Sequence, residues 1–413
     1  MASSTAVPPP PSPPSLRRPP GARTTLWATL LVLGIALPGA AAAGVSALSM
    51  LVAEPGVALA ATGLATATAV PYCAAILWVD RNEQEPWWLL LTAFLWGALA
   101  ATGVALAVNA TAMAIGTAVV GDAERAATLT AWVVAPLTEE PLKATALAFL
   151  FTAYRHHVDN VLDGLVYGAL VGMGFAWFEN ILYYAHAAEE GASAMVVLAW
   201  MRGVLSGVGS HATFTALVGV GVGLSRVLRR GRGAWLVPWA GLAVAIVAHA
   251  TWNIFSAAVL ADAQGPDVYL VRMPLAVVLL QFPFLITLLG VTLATWRQEE
   301  GILRTFLALE PRDVVLPGDI DRLVPARRRL EDGARAFLTS GVLGWWQHRR
   351  LAQLLVRIAF ERWHHLEDGL PWEVDEDAEV AGLRARVREL RRRGVVLAHP
   401  APGPRARRAR GPR

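Results

Sequence analysis

From residue 25 to residue 296 the chain alternates long apolar runs with short polar breaks. A helix of about 20 residues crosses the roughly 30 Å hydrocarbon core of a bilayer. Eight runs of that order are predicted to span it: 25–44, 57–79, 87–109, 127–151, 161–185, 195–224, 234–259 and 273–296. Spanning segments must satisfy their backbone hydrogen bonds internally, which favours helices. The expected fold is therefore all-α, a polytopic membrane helix bundle of about eight spans. Residues 1–24 are rich in Pro and Ser and read as a disordered cytoplasmic arm. Residues 297–395 read as a cytoplasmic helical extension. Its stretch 320–366 is amphipathic and carries Trp345, Trp346 and Trp363. Val380, Leu383, Val387 and Leu390 keep heptad spacing over two repeats, too short for a coiled coil. Residues 396–413 read as a basic disordered tail.

Composition supports the membrane assignment. Of 413 residues, 55% are hydrophobic, more than soluble domains usually carry. The net charge of +4 comes mostly from the C-terminal region, which suggests a tail facing lipid or a partner. No motif supports nucleic-acid binding, and none is expected. The single cysteine, Cys73, excludes an intramolecular disulfide and a multi-Cys metal site. Arg81, Arg155, Arg226, Arg229, Arg230 and Arg232 fall on alternate loops, while the opposite loops carry only Arg125 and Arg272. The positive-inside rule then predicts a multi-pass protein of the cell membrane with both termini cytoplasmic. The first span could instead be a signal peptide, since AAAAGVSA follows it; the Pro-rich arm before it favours a span.

The candidate chemistry lies inside the apolar runs. Glu139 and Glu140 are adjacent in AWVVAPLTEEPLKATALAFLF, and Lys143 is the only lysine of the chain. A charge at bilayer depth costs about 3 kcal/mol on insertion scales, so such a cluster is a functional-site hypothesis by default. Lys143 lies one helical turn from both glutamates. Two adjacent carboxylates resist ionising together, which leaves one able to hold a proton. A structural charge pair would need only one of them. Glu179, in GFAWFENILYY, places another carboxylate in the bilayer. Gly164, Gly168 and Gly172 on the same span form a face for close helix packing. His211, with Arg202 earlier on its span, and His249, with Asn253 one turn on, complete the polar set. A shared polar site is expected, with Lys143 and Arg202 balancing charge.

Two His and three Glu could also hold zinc or a similar ion. There is no HExxH helix and no GxGD aspartyl pair. Ser206 and Ser210 lie near His211, so a serine nucleophile stays open. A proton-coupled transporter or scaffold would use the same groups as a proton relay. Such proteins often carry paired halves, and no convincing internal repeat is visible.

Across residues 70–260 the motifs resemble the PrsW family of intramembrane peptidases, within the wider group of CAAX-processing prenyl endopeptidases. The resemblance rests on EEPLK at 139–143, FAWFEN at 175–180, HATF at 211–214, HATWN at 249–253 and DRNEQEPWWLL at 80–90. It implies a transmembrane peptidase domain over 25–296 and an intramembrane endopeptidase that uses a glutamate-activated water without a metal cofactor. Glu139 and Glu140 then hold the general-base position. His211 and His249 hold the histidine positions, and Asn253 matches an oxyanion-binding Asn. Where the CAAX-type enzymes have FxxxH, this chain has Phe175 followed by Glu179. Lys143 at the end of the EE motif favours the PrsW branch. The implied partner is a membrane-anchored protein such as an anti-sigma factor, cleaved on the extracytoplasmic side in regulated proteolysis.

Overall fold

The computed structural model describes residues 22–83, 85–154, 160–228, 233–261, 265, 267–367 and 378–397. Most of the expected N-terminal arm and of the basic tail lies outside them, as do Arg155, Arg229, Arg230 and Arg232. Among the described residues the regular elements are all helices. They form two compact units, divided between Thr295 and Trp296.

The membrane unit contains α1 (Ala22–Ala53), α2 (Pro55–Val79), α3 (Trp87–Val120), α4 (123–153), α5 (Val161–Ala187), α6 (Ala192–Val227), α7 (Val237–Ala261) and α8 (Val268–Leu280). It also holds the first half of α9 (Phe282–Ala308). Among the described residues, six helices are long and apolar enough to cross a membrane, or up to seven if the bent pair α8 and α9 is one span. The expected span at 127–151 is helical but is not among them. It carries Glu139, Glu140 and Lys143, too much charge for an apolar span.

Local signals set the boundaries. Gly121 ends α3 with φ +73, a left-handed conformation that glycine adopts without a Cβ penalty. Asp122 then caps α4 by accepting from the backbone amides of Glu124 and Arg125. Asn160 and Asp163 form a reciprocal capping box at the start of α5.

Helix α5 is apolar around its whole circumference and runs through the centre of this unit. Gly164, Gly168 and Gly172 line its contact with α6. A Cβ at these positions would collide with the backbone carbonyls of Gly219, Thr215 and His211 respectively. The glycine face thus brings the His211 backbone directly against α5.

Several helices are interrupted by short π-helical stretches, at Trp96–Ala101, Thr130–Val134, Ala199–Leu205 and Val208–Ala212. Such bulges are frequent at functional sites. In α6 the chain breaks at Ser210, whose φ −97 and ψ −122 are not helical, immediately before His211.

The second unit has its own core. Leu303, Leu307, Leu323, Leu351, Leu355, Ile358, Val387 and Leu390 are among the residues packed within it. They come from the end of α9, α10 (Asp319–Leu323), α11 (Ala326–Glu367) and α12 (Ala378–Arg392). The heptad positions Val380, Leu383, Val387 and Leu390 are all buried in this core. The amphipathic stretch 320–366 is helical, as expected, but not as one continuous helix. It breaks at Gly341, where φ is +66.

Candidate active site

Helix α4 projects Glu139, Glu140 and Lys143 inward, and all are buried. Lys143 Nζ lies 2.8 Å from Glu140 Oε1 and 3.5 Å from Glu139 Oε2. The Phe175 ring of α5 lies 3.8 Å from the ammonium, adding a cation–π contact. Lys143 also donates to Nδ1 of His211 at 2.9 Å. An ammonium has no lone pair to accept with, so Nδ1 must be the accepting nitrogen. His211 Nε2–H therefore donates to Glu179 Oε2, at 2.9 Å. The same Glu179 oxygen also accepts from Arg202 at 2.5 Å, and Arg202 Nε donates to Asn180 Oδ1 at 3.0 Å.

His249, on α7, donates from Nδ1 to Glu140 Oε1 at 2.9 Å. Its Nε2 lies 4.0 Å from Glu139 Oε2. The His211 and His249 rings meet edge to face, 4.9 Å between centroids. Phe214 stacks on His249 and fixes its plane.

The two adjacent glutamates differ in how well they are satisfied. Glu140 accepts from Lys143 and His249 on one oxygen and from Thr215 at 3.3 Å on the other. Glu139 accepts from Asn109 at 3.2 Å and has only the long 3.5 Å contact to Lys143. Glu139 keeps free accepting capacity facing His249.

Formal charge is also unequal. Three carboxylates (Glu139, Glu140, Glu179) face two cations (Lys143, Arg202), an excess of one negative charge if all are ionised. In a low-dielectric interior such an excess favours uptake of a proton or a cation. Glu139, His211 and His249 each offer one ligand atom, all within 4.8 Å of one another. Two imidazoles and one carboxylate are a donor set that suits a catalytic zinc and leaves a coordination position open. The second shell suits it as well. Glu140 backs His249 and Glu179 backs His211, the carboxylate–histidine arrangement common around metals. These residues fit a divalent cation once Lys143 gives up His211 Nδ1, because the ammonium engages the same lone pair that would ligate the ion.

Seven of the eight residues expected at the site thus form one network: Glu139, Glu140, Lys143, Glu179, Arg202, His211 and His249. Asn253 is placed differently. Its amide donates to the Ala131 carbonyl at 2.8 Å, in the π-helical stretch preceding Glu139. That bond uses one of its two amide N–H groups and turns the amide towards α4. Ser206 and Ser210 hydroxyls donate to backbone carbonyls of their own helix.

Asn109 and Thr215 are additions to the set. Asn109 is a lone amide in an apolar run, and Thr215 is one turn beyond His211, so both had a sequence signal. Gln281, between α8 and α9, is a further addition. It is buried with neither amide atom hydrogen-bonded, and it packs against Gly209 near the break in α6.

A family model described as "PrsW family intramembrane metalloprotease" matches residues 85–287. Among curated proteins, the chain is similar to Protease PrsW of Geobacillus kaustophilus, with 30% identity over 42% of this chain and 69% of that protein. Protease PrsW of Bacillus subtilis is 38% identical over 24% of this chain and 41% of its own length. Protease PrsW of Oceanobacillus iheyensis is 30% identical over 36% and 62% respectively. No solved structure matches the chain. The matched segment contains every residue of the network, and it ends before the second unit begins. These likenesses favour a protease over a transporter or scaffold.

Proposed function

The chain belongs to the PrsW family of intramembrane proteases, and on that premise we propose that it cleaves a membrane-anchored protein with a water activated by Glu139. The observation that carries this reading is the unequal satisfaction of the two adjacent carboxylates. Glu140 is saturated by Lys143, His249 and Thr215, which makes it a positioning group. Glu139 retains free accepting capacity and is the better base.

In the proposed reaction Glu139 takes a proton from water as the water oxygen bonds to the scissile carbonyl carbon. The resulting oxyanion needs a nearby donor. His249 Nε2–H supplies it when protonated, and the second amide N–H of Asn253, the one not given to Ala131, is a further donor. The protonated Glu139 then passes its proton to the departing amide nitrogen as the C–N bond breaks. Lys143 offsets the charge on the two glutamates throughout. Arg202 holds Glu179, and Glu179 keeps His211 in the tautomer that accepts from Lys143. The substrate is proposed to be a single-pass protein such as an anti-sigma factor, cut on the extracytoplasmic side. The protein is proposed to lie in the cell membrane with both termini cytoplasmic.

The donor set favours a second reading, a metal-dependent peptidase. Glu139, His211 and His249 would hold the ion, with Glu140 and Glu179 orienting the histidines. A bound divalent cation would polarise a carbonyl and make its water more acidic.

Cleavage of tagged single-pass anti-sigma factors, co-expressed in membranes, separates the readings. Activity lost in Glu139→Gln and insensitive to chelator supports the glutamate base. Loss on chelation, restored by added metal, supports the metallopeptidase. Cleavage that survives Glu139→Gln, Glu140→Gln and His249→Ala alike removes this cluster from catalysis.

A further inference from the structure

The second unit concentrates its exposed large apolar side chains in one place. Nine large apolar side chains are exposed among its described residues, and six of them lie between Phe337 and Trp346. Leu338 is the extreme case, 83% exposed. A soluble unit has no use for such a patch unless something covers it.

The backbone explains how the patch is presented. Gly341, at φ +66, breaks α11. Beyond it the chain doubles back: a Cβ at Gly333 would stand 3.8 Å from the Trp345 ring and 4.0 Å from His348. In a straight helix residues 12 positions apart are about 18 Å apart. Residues 326–340 and 342–367 therefore form a helical hairpin. Phe337, Leu338, Val342 and Leu343 cluster about its turn.

Moving away from the turn, the chemistry changes in order. The apolar tip comes first, followed by Trp345 and Trp346 and then, one helical turn further, by Arg349 and Arg350. The guanidinium of Arg349 lies 5.6 Å from the Trp345 ring, and that of Arg350 lies 5.0 Å from the Trp346 ring. Both arginines are exposed. The sequence has no Asp or Glu between Asp332 and Glu361. A bilayer surface has the same order of layers: hydrocarbon, an interface that Trp favours, and headgroups that attract Arg when anionic.

We propose that this hairpin tip is an anionic-lipid binding site that inserts into the bilayer interface. The occupant follows from charge complementarity and from the chain itself. The unit continues directly from an apolar membrane segment that ends at Thr295, so a bilayer is present at high effective concentration. Insertion covers Phe337, Leu338, Val342 and Leu343, seats the two tryptophans at headgroup level and pairs the arginines with lipid phosphate. The site lies outside the segment matched by the family model and is independent of the hydrolytic reading.

The test uses the full chain reconstituted in vesicles of phosphatidylcholine with phosphatidylglycerol. A nitroxide is attached at Leu338→Cys or, separately, at Val342→Cys. Each is made in a Cys73→Ala background, with Ala385→Cys on α12 as an exposed reference. At the tip, relaxation by dissolved oxygen is expected to exceed relaxation by a water-soluble nickel chelate. The reverse is expected at Ala385. Arg349→Gln and Arg350→Gln should each shift the tip towards water by about fivefold in the insertion equilibrium. Omitting phosphatidylglycerol should shift it in the same direction. Nickel access at both tip positions equal to that at Ala385 overturns the proposal. Protection from both reagents also overturns it, because protein, such as a second copy of this chain, then covers the tip. Val342→Cys carries the test if Leu338→Cys does not fold.

Discussion

Each unit buries charge, and the two do so in opposite ways. In the second unit Glu310 is enclosed by Arg362 and Arg384. One of its oxygens accepts at 2.7 and 3.0 Å and the other at 2.7 Å. Both oxygens of that carboxylate are engaged by guanidinium groups, with no histidine among its hydrogen-bond partners in the described residues. In the membrane unit three carboxylates meet two cations and two histidines, and Glu139 is left partly unsatisfied. Buried charge alone therefore does not mark a reactive site. A saturated cluster resists change, whereas one with spare lone pairs and an unbalanced charge can accept a proton, a water or a cation.

The strongest challenge to this contrast is neutralisation of each central carboxylate. Glu139→Gln should lower cleavage by about 10²–10⁴-fold, the usual weight of a general base, while leaving the melting temperature nearly unchanged. Glu310→Ala should do the converse locally. It removes the three hydrogen bonds that Arg362 and Arg384 make to this buried carboxylate, which costs about 2–4 kcal/mol and should appear as lost hydrogen-exchange protection across α10 to α12. If Glu310→Ala left that protection intact, the saturated network would not be structural.

Smaller changes sharpen the comparison. Gly172→Ala pushes a methyl group into the His211 carbonyl and should cost about 1–3 kcal/mol. Cleavage should fall with it, because His211 is displaced from Lys143 and Glu179. Thr215→Val removes the weakest donor to Glu140 and should cost about 0.5–1.5 kcal/mol, at most about tenfold in cleavage rate. A larger loss would promote Glu140 from positioning group to base.

Much of the site was legible because charge inside apolar runs is conspicuous. Glu139, Glu140, Lys143, Glu179, Arg202, His211 and His249 all stood out, and they converge. Asn253 stood out equally, but its amide turns to Ala131, since a π-helical stretch leaves that carbonyl in need of a donor. Asn109 and Thr215 had a weak signal, because polar residues often occur in helices without a role. Gln281 had none until its burial beside Gly209 was visible. The segment at 127–151 was expected to span the bilayer with its charged cluster inside it; those same charges set it apart from the apolar spans. The hairpin in α11 was read only as a helical, amphipathic stretch, because a glycine at position 341 is compatible with either a helix or a turn.

By itself the sequence determined the all-helical class, the approximate spans, the glycine face of α5 and the identity of the charged groups. These follow from local periodicity and from the cost of placing charge in lipid. Tertiary structure alone decided which glutamate is saturated, which nitrogen of His211 accepts, and where the second unit leaves its apolar tip uncovered. Those outcomes depend on contacts between residues far apart in the chain, at distances of a few ångströms that no sequence spacing encodes.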